Sequence, residues 1–239
     1  MSKSLTRRAL APALILIVLL VVVLLQPTAP GIRMGKPLPP GKVKPQLVHS
    51  AMSALLLAPD GSLWGWGVLT FPPQKTPSLK APPLNVISPV PLRIGADSDW
   101  SQAACGWNHT VALEEDGSLW AWGANGEGEI GQGNFTNSYS TPTRIGADTN
   151  WTEICAGMIH NLALKNDGSL WAWGDNGFSQ LGDGTTNNRS VPTRLGPGRD
   201  WKMIAADDAS SFALKSNGTV WGWGWFSGNW NVGVPMTAA

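Results

Sequence analysis

An octapeptide with two tryptophans occurs four times in this chain. Two copies read DGSLWAWG and the others read DGSLWGWG and NGTVWGWG, at 116–123, 167–174, 60–67 and 217–224 respectively. The second residue of each copy is a glycine, and the steps from Gly61 to Gly117, Gly168 and Gly218 are 56, 51 and 50 residues. A nearly constant period of this size is typical of stacked supersecondary units. We therefore predict repeated structural units rather than a repeated catalytic site.

The composition favours β-structure and gives no sign of a nucleic-acid partner. The chain has 28 Gly and 19 Pro, and its 14 Trp outnumber five Phe and one Tyr, which is typical of a turn-rich, tryptophan-anchored all-β protein. The net charge is +1, from 17 basic and 16 acidic residues. Readers of nucleic acids usually carry a basic patch, so we expect no nucleic acid among the partners.

Each octapeptide follows an alternating apolar segment, which indicates a β-hairpin with a glycine at its turn. The period of two residues places Trp171 and Trp173 on one face of a strand, and Leu170 and Ala172 on the other. We predict that this bulky face packs on the slim face of the next sheet, because such a small sheet is not stable alone. Fully burying a tryptophan contributes about 2–3 kcal/mol. The expected structural positions are Gly117, Trp120, Trp122, Gly168, Trp171, Trp173, Gly218, Trp221 and Trp223.

A loop rich in Gly and Asn follows two of the octapeptides, at 123–133 and 174–184. We expect it to close each unit. A calcium loop at Asp183 is not favoured, since no series of carboxylates follows it. Four repeats are counted from Pro37, Pro91, Pro142 and Pro192.

This pattern resembles the regulator of chromosome condensation repeat family. The matching residues are Gly157, His160, Leu164, Asp167, Gly168, Trp171, Trp173, Gly174, Asn176, Gly177 and 180–182, with Gly106, His109, Asp116, Gly117, Trp122, Gly123, Ile130 and Gly131 in the preceding repeat. The resemblance covers about residues 37–235. It implies an all-β propeller of four-stranded blades, in a bacterial-type membrane-anchored member.

The resemblance also sets expectations for closure and function. The family's rings have seven blades, so four repeats of about 51 residues predict an incomplete, open arc; a capped or closed monomer is the alternative. The founder of the family is a nucleotide-exchange factor that also binds chromatin, through loops with no match here. Bacterial relatives act as binding scaffolds, which suits this chain better.

One transmembrane helix is expected before the repeats. Residues 9–25 are apolar and would span about 26 Å as a helix. Lys3, Arg7 and Arg8 favour a cytoplasmic N-terminus. Basic residues beyond the helix weaken this prediction of orientation but do not reverse it. A cleaved signal peptide and a buried helix of a soluble protein are the alternatives, and the N-terminus of the mature protein would distinguish the signal peptide from the anchor. We expect residues 1–8 in the cytoplasm, 9–25 as a signal-anchor, 26–46 as a proline-rich linker overlapping a degenerate repeat start, and 47–239 as extracytoplasmic repeats.

No residue pattern indicates an enzyme, a metal site or a cofactor. His109 and His160 stand eight residues before their turn glycines, and this equivalence predicts a structural role, such as bonding a neighbouring loop. Cys105 and Cys155 are one residue out of phase and are expected as separate thiols on opposite faces.

Exposed loop aromatics are the candidates for binding, because aromatic anchors are enriched at interfaces. They are Phe71, Phe135, Tyr139, Trp225, Phe226 and Trp230, whereas Phe178 is expected to fold back onto the blades. The sequence thus predicts a non-catalytic scaffold for an unknown protein partner or for self-association. A cell-wall or glycan-binding module is the alternative, and a propeller fragment without independent function is the third interpretation.

Overall fold

The computed structural model describes residues 41–50, 53–69, 86–136, 138–226 and 229–236. All of them belong to the second of two compact units, Leu38–Ala239. The expected cytoplasmic segment, the expected transmembrane helix at 9–25, most of the linker and Phe71 lie outside the described residues. Within the described ranges, no helix has the length and apolar character needed to span a membrane.

The described chain forms four antiparallel sheets of four strands each, the blades expected of a propeller. Blade 1 contains β1 (Gln46–His49), β2 (Ser53–Leu57), β3 (Leu63–Leu69) and β4 (Val86–Ile94). Blade 2 contains β5 (Trp100–Cys105), β6 (His109–Glu114), β7 (Leu119–Ala124) and β8 (Ser138–Arg144). Blade 3 contains β9 (Trp151–Ala156), β10 (His160–Lys165), β11 (Leu170–Gly174) and β12 (Arg189–Arg194). Blade 4 contains β13 (Trp201–Asp207), β14 (Ser210–Lys215), β15 (Val220–Phe226) and β16 (Asn229–Met236).

The octapeptide forms the turn between the second and third strands of each blade, together with the third strand. In blade 3, Leu164 pairs with Leu170 and Ala163 with Trp171 across this hairpin. Gly168 in the turn has a φ of 75°, which a side chain disfavours. A Cβ there would also lie 2.2 Å from the carbonyl oxygen of Arg199, just before blade 4. The repeated glycine therefore allows both the turn and the close approach of the next blade.

The repeats counted from proline are displaced by one strand from the blades. Pro142 lies in β8 and Pro192 in β12, so each marks the last strand of the preceding blade. Blade 4 also departs from blades 2 and 3 after its third strand. β15 continues to Phe226 and β16 begins at Asn229, whereas β11 ends at Gly174 and β12 begins only at Arg189.

Three apolar clusters hold consecutive blades together, and in each the tryptophan face of one blade meets the slim face of the blade before it. Trp122 packs against blade 1, Trp173 against blade 2 and Trp223 against blade 3. The predicted packing of bulky on slim faces is thus found at all three interfaces. No apolar cluster of the described residues joins blade 4 to blade 1.

The two tryptophans of an octapeptide are not equally buried. Trp173 is fully buried, whereas Trp171 is half-buried. The Trp171 ring packs edge-on against Trp151 at a centroid distance of 5.6 Å. Its Nε1 donates to the Ser169 hydroxyl at 2.9 Å, and the Lys165 ammonium lies 4.1 Å from its ring centroid. The first tryptophan mainly braces its own blade, and the second fills the interface.

The two cysteines are free thiols in different parts of the core. Cys105 packs between blades 1 and 2, and Cys155 packs between blades 3 and 4. Burial raises the pKa of both thiols, so neither is disposed to act as a thiolate near neutral pH.

Candidate binding surface

A buried asparagine shapes the long loop that follows the third strand in blades 2 and 3. In blade 3, the Asn176 Oδ1 accepts from the Leu181 amide at 3.0 Å, and its Nδ2 donates to the Thr185 carbonyl at 3.0 Å. Asn125 does the same in blade 2, with the Ile130 amide at 2.9 Å. Because both asparagines are fully buried, these bonds are shielded from water and fix the loops.

Asp183, considered above for calcium, is used to close the blade 3 loop. Its carboxylate accepts from the Thr185 hydroxyl at 2.7 Å and pairs with the Arg189 guanidinium at 2.5 Å. In the described part of the chain, no group of three or more His, Cys, Asp or Glu side chains is arranged to hold a metal ion.

The same loops bind the next blade through one backbone carbonyl. The Glu129 carbonyl of blade 2 accepts from the Trp173 Nε1 at 2.8 Å and from the Asn161 Nδ2 at 2.9 Å. The Gln180 carbonyl of blade 3 accepts from the Trp223 Nε1 at 2.8 Å and from the Ser211 hydroxyl at 2.7 Å. These two interfaces thus each combine an apolar tryptophan ring with a buried pair of hydrogen bonds.

The two histidines belong to this network. His109 Nε2 lies 2.8 Å from the Asn161 Oδ1, and His160 Nε2 lies 2.8 Å from the Ser211 hydroxyl. Asn161 Oδ1 can only accept, and the Ser211 hydroxyl proton already goes to the Gln180 carbonyl. Both imidazoles therefore carry their proton on Nε2 and donate it across a blade interface.

The remaining ring nitrogens are closed off. Nδ1 of each histidine is buried and has no hydrogen-bond partner among the described residues. Burial is the main cause that lowers the pKa of His109 to about 4 and that of His160 to about 3. Both rings are thus neutral near pH 7, with their basic nitrogen out of reach of a substrate. The geometry is that of a structural donor.

The glycine three residues before each histidine gives the imidazole its space. A Cβ on Gly106 would lie 2.0 Å from the His109 ring, and one on Gly157 would lie 2.2 Å from the His160 ring. The spacing Gly-x-x-His therefore has a steric reason: the imidazole occupies the space that a side chain at the glycine position would need.

We expect Gly157→Ala to destabilise the chain by about 1–3 kcal/mol, as overpacking of a filled site does. The free energy of unfolding in urea measures this cost. In a His160→Ala background the same change should cost less, because the clashing ring is gone. Gly126→Ala is the matched control, since a Cβ there would meet nothing within 4 Å. An equal cost of Gly157→Ala in both backgrounds would refute the steric explanation.

Of the described aromatic residues predicted to lie in loops, one lies in a loop and four lie in strands. Phe135 is exposed in the blade 2 loop. Tyr139 lies in β8, where it packs partly against the cluster between blades 2 and 3 and its hydroxyl accepts from the Asn134 Nδ2 at 3.0 Å. Trp225 and Phe226 lie in β15 and Trp230 in β16, with Trp225 paired to Trp230. The prediction of loop positions was wrong for these four residues. Tyr139 belongs to the last strand of blade 2, and in blade 4 the pairing of β15 with β16 continues as far as Phe226 and Asn229.

Phe178 and Trp225 form an exposed aromatic pair across the blade 3–4 interface. Their ring centroids are 6.3 Å apart, and their exposed fractions are 41% and 40%. Phe178 was expected to fold back onto the blades, yet it stays partly in water beside Trp225.

The pair is held by backbone bonds and has acidic neighbours. The Phe178 amide donates to the Gln180 Oε1 at 2.7 Å, and the Trp225 amide donates to the Ala209 carbonyl at 3.0 Å. Asp175 lies in the Phe178 loop and accepts from Gln180, whereas exposed Asp208 directly precedes Ala209. The surface thus combines two aromatic rings with carboxylates.

Comparison with protein-family models identifies these blades. A model described as Regulator of chromosome condensation (RCC1) repeat matches residues 116–164 and 167–214, and a second model of the same description matches 100–129 and 151–180. The two central blades therefore match the RCC1 repeat. The match over residues 116–164 begins in the β6–β7 turn of blade 2 and ends at Leu164 in β10 of blade 3, so one matched repeat spans a blade interface.

Several RCC1-repeat proteins are similar to this chain. The Ultraviolet-B receptor UVR8 of Arabidopsis thaliana is 32% identical over 133 residues, which cover 52% of this chain and 28% of the receptor. The mitochondrial RCC1 domain-containing protein RUG3 of the same plant is 35% identical over 153 residues, which cover 60% of this chain and 33% of RUG3. The chain therefore spans about a third or less of these relatives.

Among solved structures, Prp20p of Saccharomyces cerevisiae superposes with a TM-score of 0.65 at 24% identity. The match covers 81% of this chain and 50% of Prp20p. This likeness establishes the RCC1-type propeller fold.

Proposed function

We propose that this chain is a non-catalytic protein-binding scaffold that uses the Phe178–Trp225 pair as its contact surface. The observation that carries the proposal is the exposure of two adjacent aromatic rings on loops and strands that are otherwise fixed by hydrogen bonds. Aromatic residues are enriched among the few that dominate interface energies. A rigid surface also loses little conformational entropy on binding.

The acidic neighbours indicate the chemistry of the partner. Asp175 lies in the Phe178 loop, and Asp208 directly precedes Ala209, whose carbonyl accepts from the Trp225 amide. The faces of aromatic rings attract cations. A partner segment with lysine or arginine beside an apolar side chain suits this surface best. A protein of similar fold binds other proteins, since Prp20p has binding properties toward Gsp1p and histones. Display outside a membrane rests on residues 9–25 alone and stays a prediction.

The test is capture of partners by the full-length chain in detergent. We expect the double variant Phe178→Ala, Trp225→Ala to lose at least about tenfold of the recovered partner, as loss of aromatic anchors does. Phe135→Ala is the matched control, because Phe135 is an exposed loop aromatic in blade 2. Thermal unfolding of all three proteins establishes that they are folded.

Three outcomes would contradict the proposal. Undiminished capture by the double variant would move the contact surface elsewhere. Retention on insoluble cell-wall polysaccharide that depends on Phe178 and Trp225, with no protein recovered, would favour the glycan-binding alternative. Failure of the folded wild-type chain to retain either kind of partner would favour a fragment without independent function.

A further inference from the structure

Every interface between consecutive blades joins the same two kinds of sheet face. We call the tryptophan-bearing face, which meets the preceding blade, the front face, and the opposite one the back face. At the blade 3–4 interface, Trp223 and Ile204 of the front face meet Leu164 and Leu170 of the back face. Among the described residues, the front face of blade 1 and the back face of blade 4 share no apolar cluster with another blade.

The back face of blade 4 is apolar, and part of it is exposed. Val220 occupies the position of Leu170, which is 1% exposed, yet Val220 is 40% exposed. Exposed Ala205 stands where Cys155 packs between blades 3 and 4. The turn glycine shows the same change: a Cβ on Gly168 would meet the Arg199 carbonyl at 2.2 Å, whereas one on Gly218 would meet nothing within 4 Å.

The front face of blade 1 is open in the complementary way. Leu47 occupies the position of Ile154 and Ile204, which are both 8% exposed, yet Leu47 is 68% exposed. Trp66 occupies the position of the buried Trp173, yet it is only half-buried.

A polar bond that recurs at the internal interfaces has no counterpart on the open back face. The side-chain oxygen of Gln102 accepts from the Ile154 amide at 3.2 Å, and that of Glu153 accepts from the Ile204 amide at 3.2 Å. The equivalent position in blade 4 is Met203, which is 55% exposed. The residue that a front face would bring to Met203 is Leu47, by its equivalence to Ile154. Between the two open faces, the side chains of Met203 and Leu47 would therefore meet as an apolar pair. At the same place, the internal interfaces have a hydrogen bond from a backbone amide to a Gln or Glu side chain.

We propose that two copies of this chain associate head to tail, with the back face of blade 4 of one copy packing on the front face of blade 1 of the other. The argument for a second copy is that the two open faces are the two halves of the interface already formed three times within the chain. This proposal does not rest on the proposed function, because it uses a different surface. Such a contact is heterologous, and its smallest closed form is an eight-blade ring of two chains.

Substitution of a charge into either face tests the contact. The mass of the full-length chain in detergent is measured by light scattering across a hundredfold dilution, and we expect a dimer that dissociates on dilution. Met203→Lys and Leu47→Glu should each weaken association by roughly a hundredfold, because each buries an unpaired charge. Both positions are more than half exposed within one chain, so folding should be retained, which thermal unfolding checks. Val191→Lys on the outer strand β12 is the matched control for an exposed apolar residue.

Mixing the two charged variants tests the direction of the contact. In a head-to-tail ring, Leu47→Glu of one copy meets Met203→Lys of the other, and the second junction joins two unaltered residues. The mixture should therefore regain the dimer that neither variant forms alone. A wild-type chain that is monomeric at all concentrations, charged variants that keep the wild-type mass, or a mixture that stays monomeric would each overturn the proposal. A change of mass in Val191→Lys equal to that of Met203→Lys would overturn it as well.

Discussion

Trp173→Ala should cost about 3–5 kcal/mol of the free energy of unfolding, as truncation of a large buried aromatic residue does. The Trp173 ring is fully buried in the cluster between blades 2 and 3. Its Nε1 donates to the Glu129 carbonyl at 2.8 Å, so truncation removes a donor from a buried acceptor in addition to leaving a cavity. Urea unfolding of wild type and variant at pH 7 measures the loss.

Trp171→Ala is the matched control, two residues away on the same face of the same strand. Its cost should be smaller, because the half-buried ring keeps part of its contact with water in the native state. The comparison separates interface filling from bracing within a blade. Equal costs for the two variants, or a Trp173→Ala chain with the wild-type midpoint, would contradict the role given to the second tryptophan.

The two tryptophans show which features of the fold the sequence predicts and which it does not. The period of two residues places Trp171 and Trp173 on one face, and the structure has them there. Period alone carries no information on depth, which depends on how far along the strand the neighbouring blade reaches. The repeated units were likewise predictable from the spacing of the turn glycines, and their four strands followed from the family resemblance. The blade boundaries were displaced by one strand because the repeat of the sequence crosses an interface.

The candidate surface was only partly predictable. The sequence favours Trp225 for binding as an aromatic residue near the end of the repeats. Its place in β15 depends on the absence from blade 4 of the long loop found in blades 2 and 3. Its neighbour Phe178 comes from the blade 3 loop, and no pattern within one repeat indicates that the two rings meet. The hydrogen-bond partners of the histidines were hidden for the same reason: Asn161 and Ser211 are equivalent positions with different side chains, each in the next blade.

The buried histidines should also make the chain unstable in mild acid. An unfolded histidine has a pKa near 6.5, whereas burial lowers the pKa of His109 to about 4 and that of His160 to about 3 in the folded chain. For His160 the neighbouring His109 adds to this lowering, and for His109 the bond to Asn161 opposes it. Between these values the unfolded chain binds protons that the folded chain does not, so stability falls as the pH falls.

The expected free energy of unfolding is level above about pH 6.5 and declines below it. By pH 4.5 each histidine should account for a loss on the order of 2 kcal/mol relative to pH 7. Urea unfolding at a series of pH values measures the curve. Replacement of both residues, His109→Gln with His160→Gln, keeps an amide donor for Asn161 and Ser211 but removes the titrating ring. The variant should therefore have a flatter curve than the wild type, whatever its stability at pH 7.

The difference between the two curves isolates the histidines from the carboxylates. Burial raises the pKa of Glu129 and Glu153, which favours the folded chain as the pH falls, but these residues are present in both proteins. His49→Gln is the matched control for the loss of an imidazole, since His49 is exposed at the end of β1. A double variant whose stability declines between pH 6.5 and 4.5 as steeply as that of the wild type would show that the histidines are not the neutral interface donors described above. A flatter curve would tie acid sensitivity to the two blade interfaces that these donors bridge.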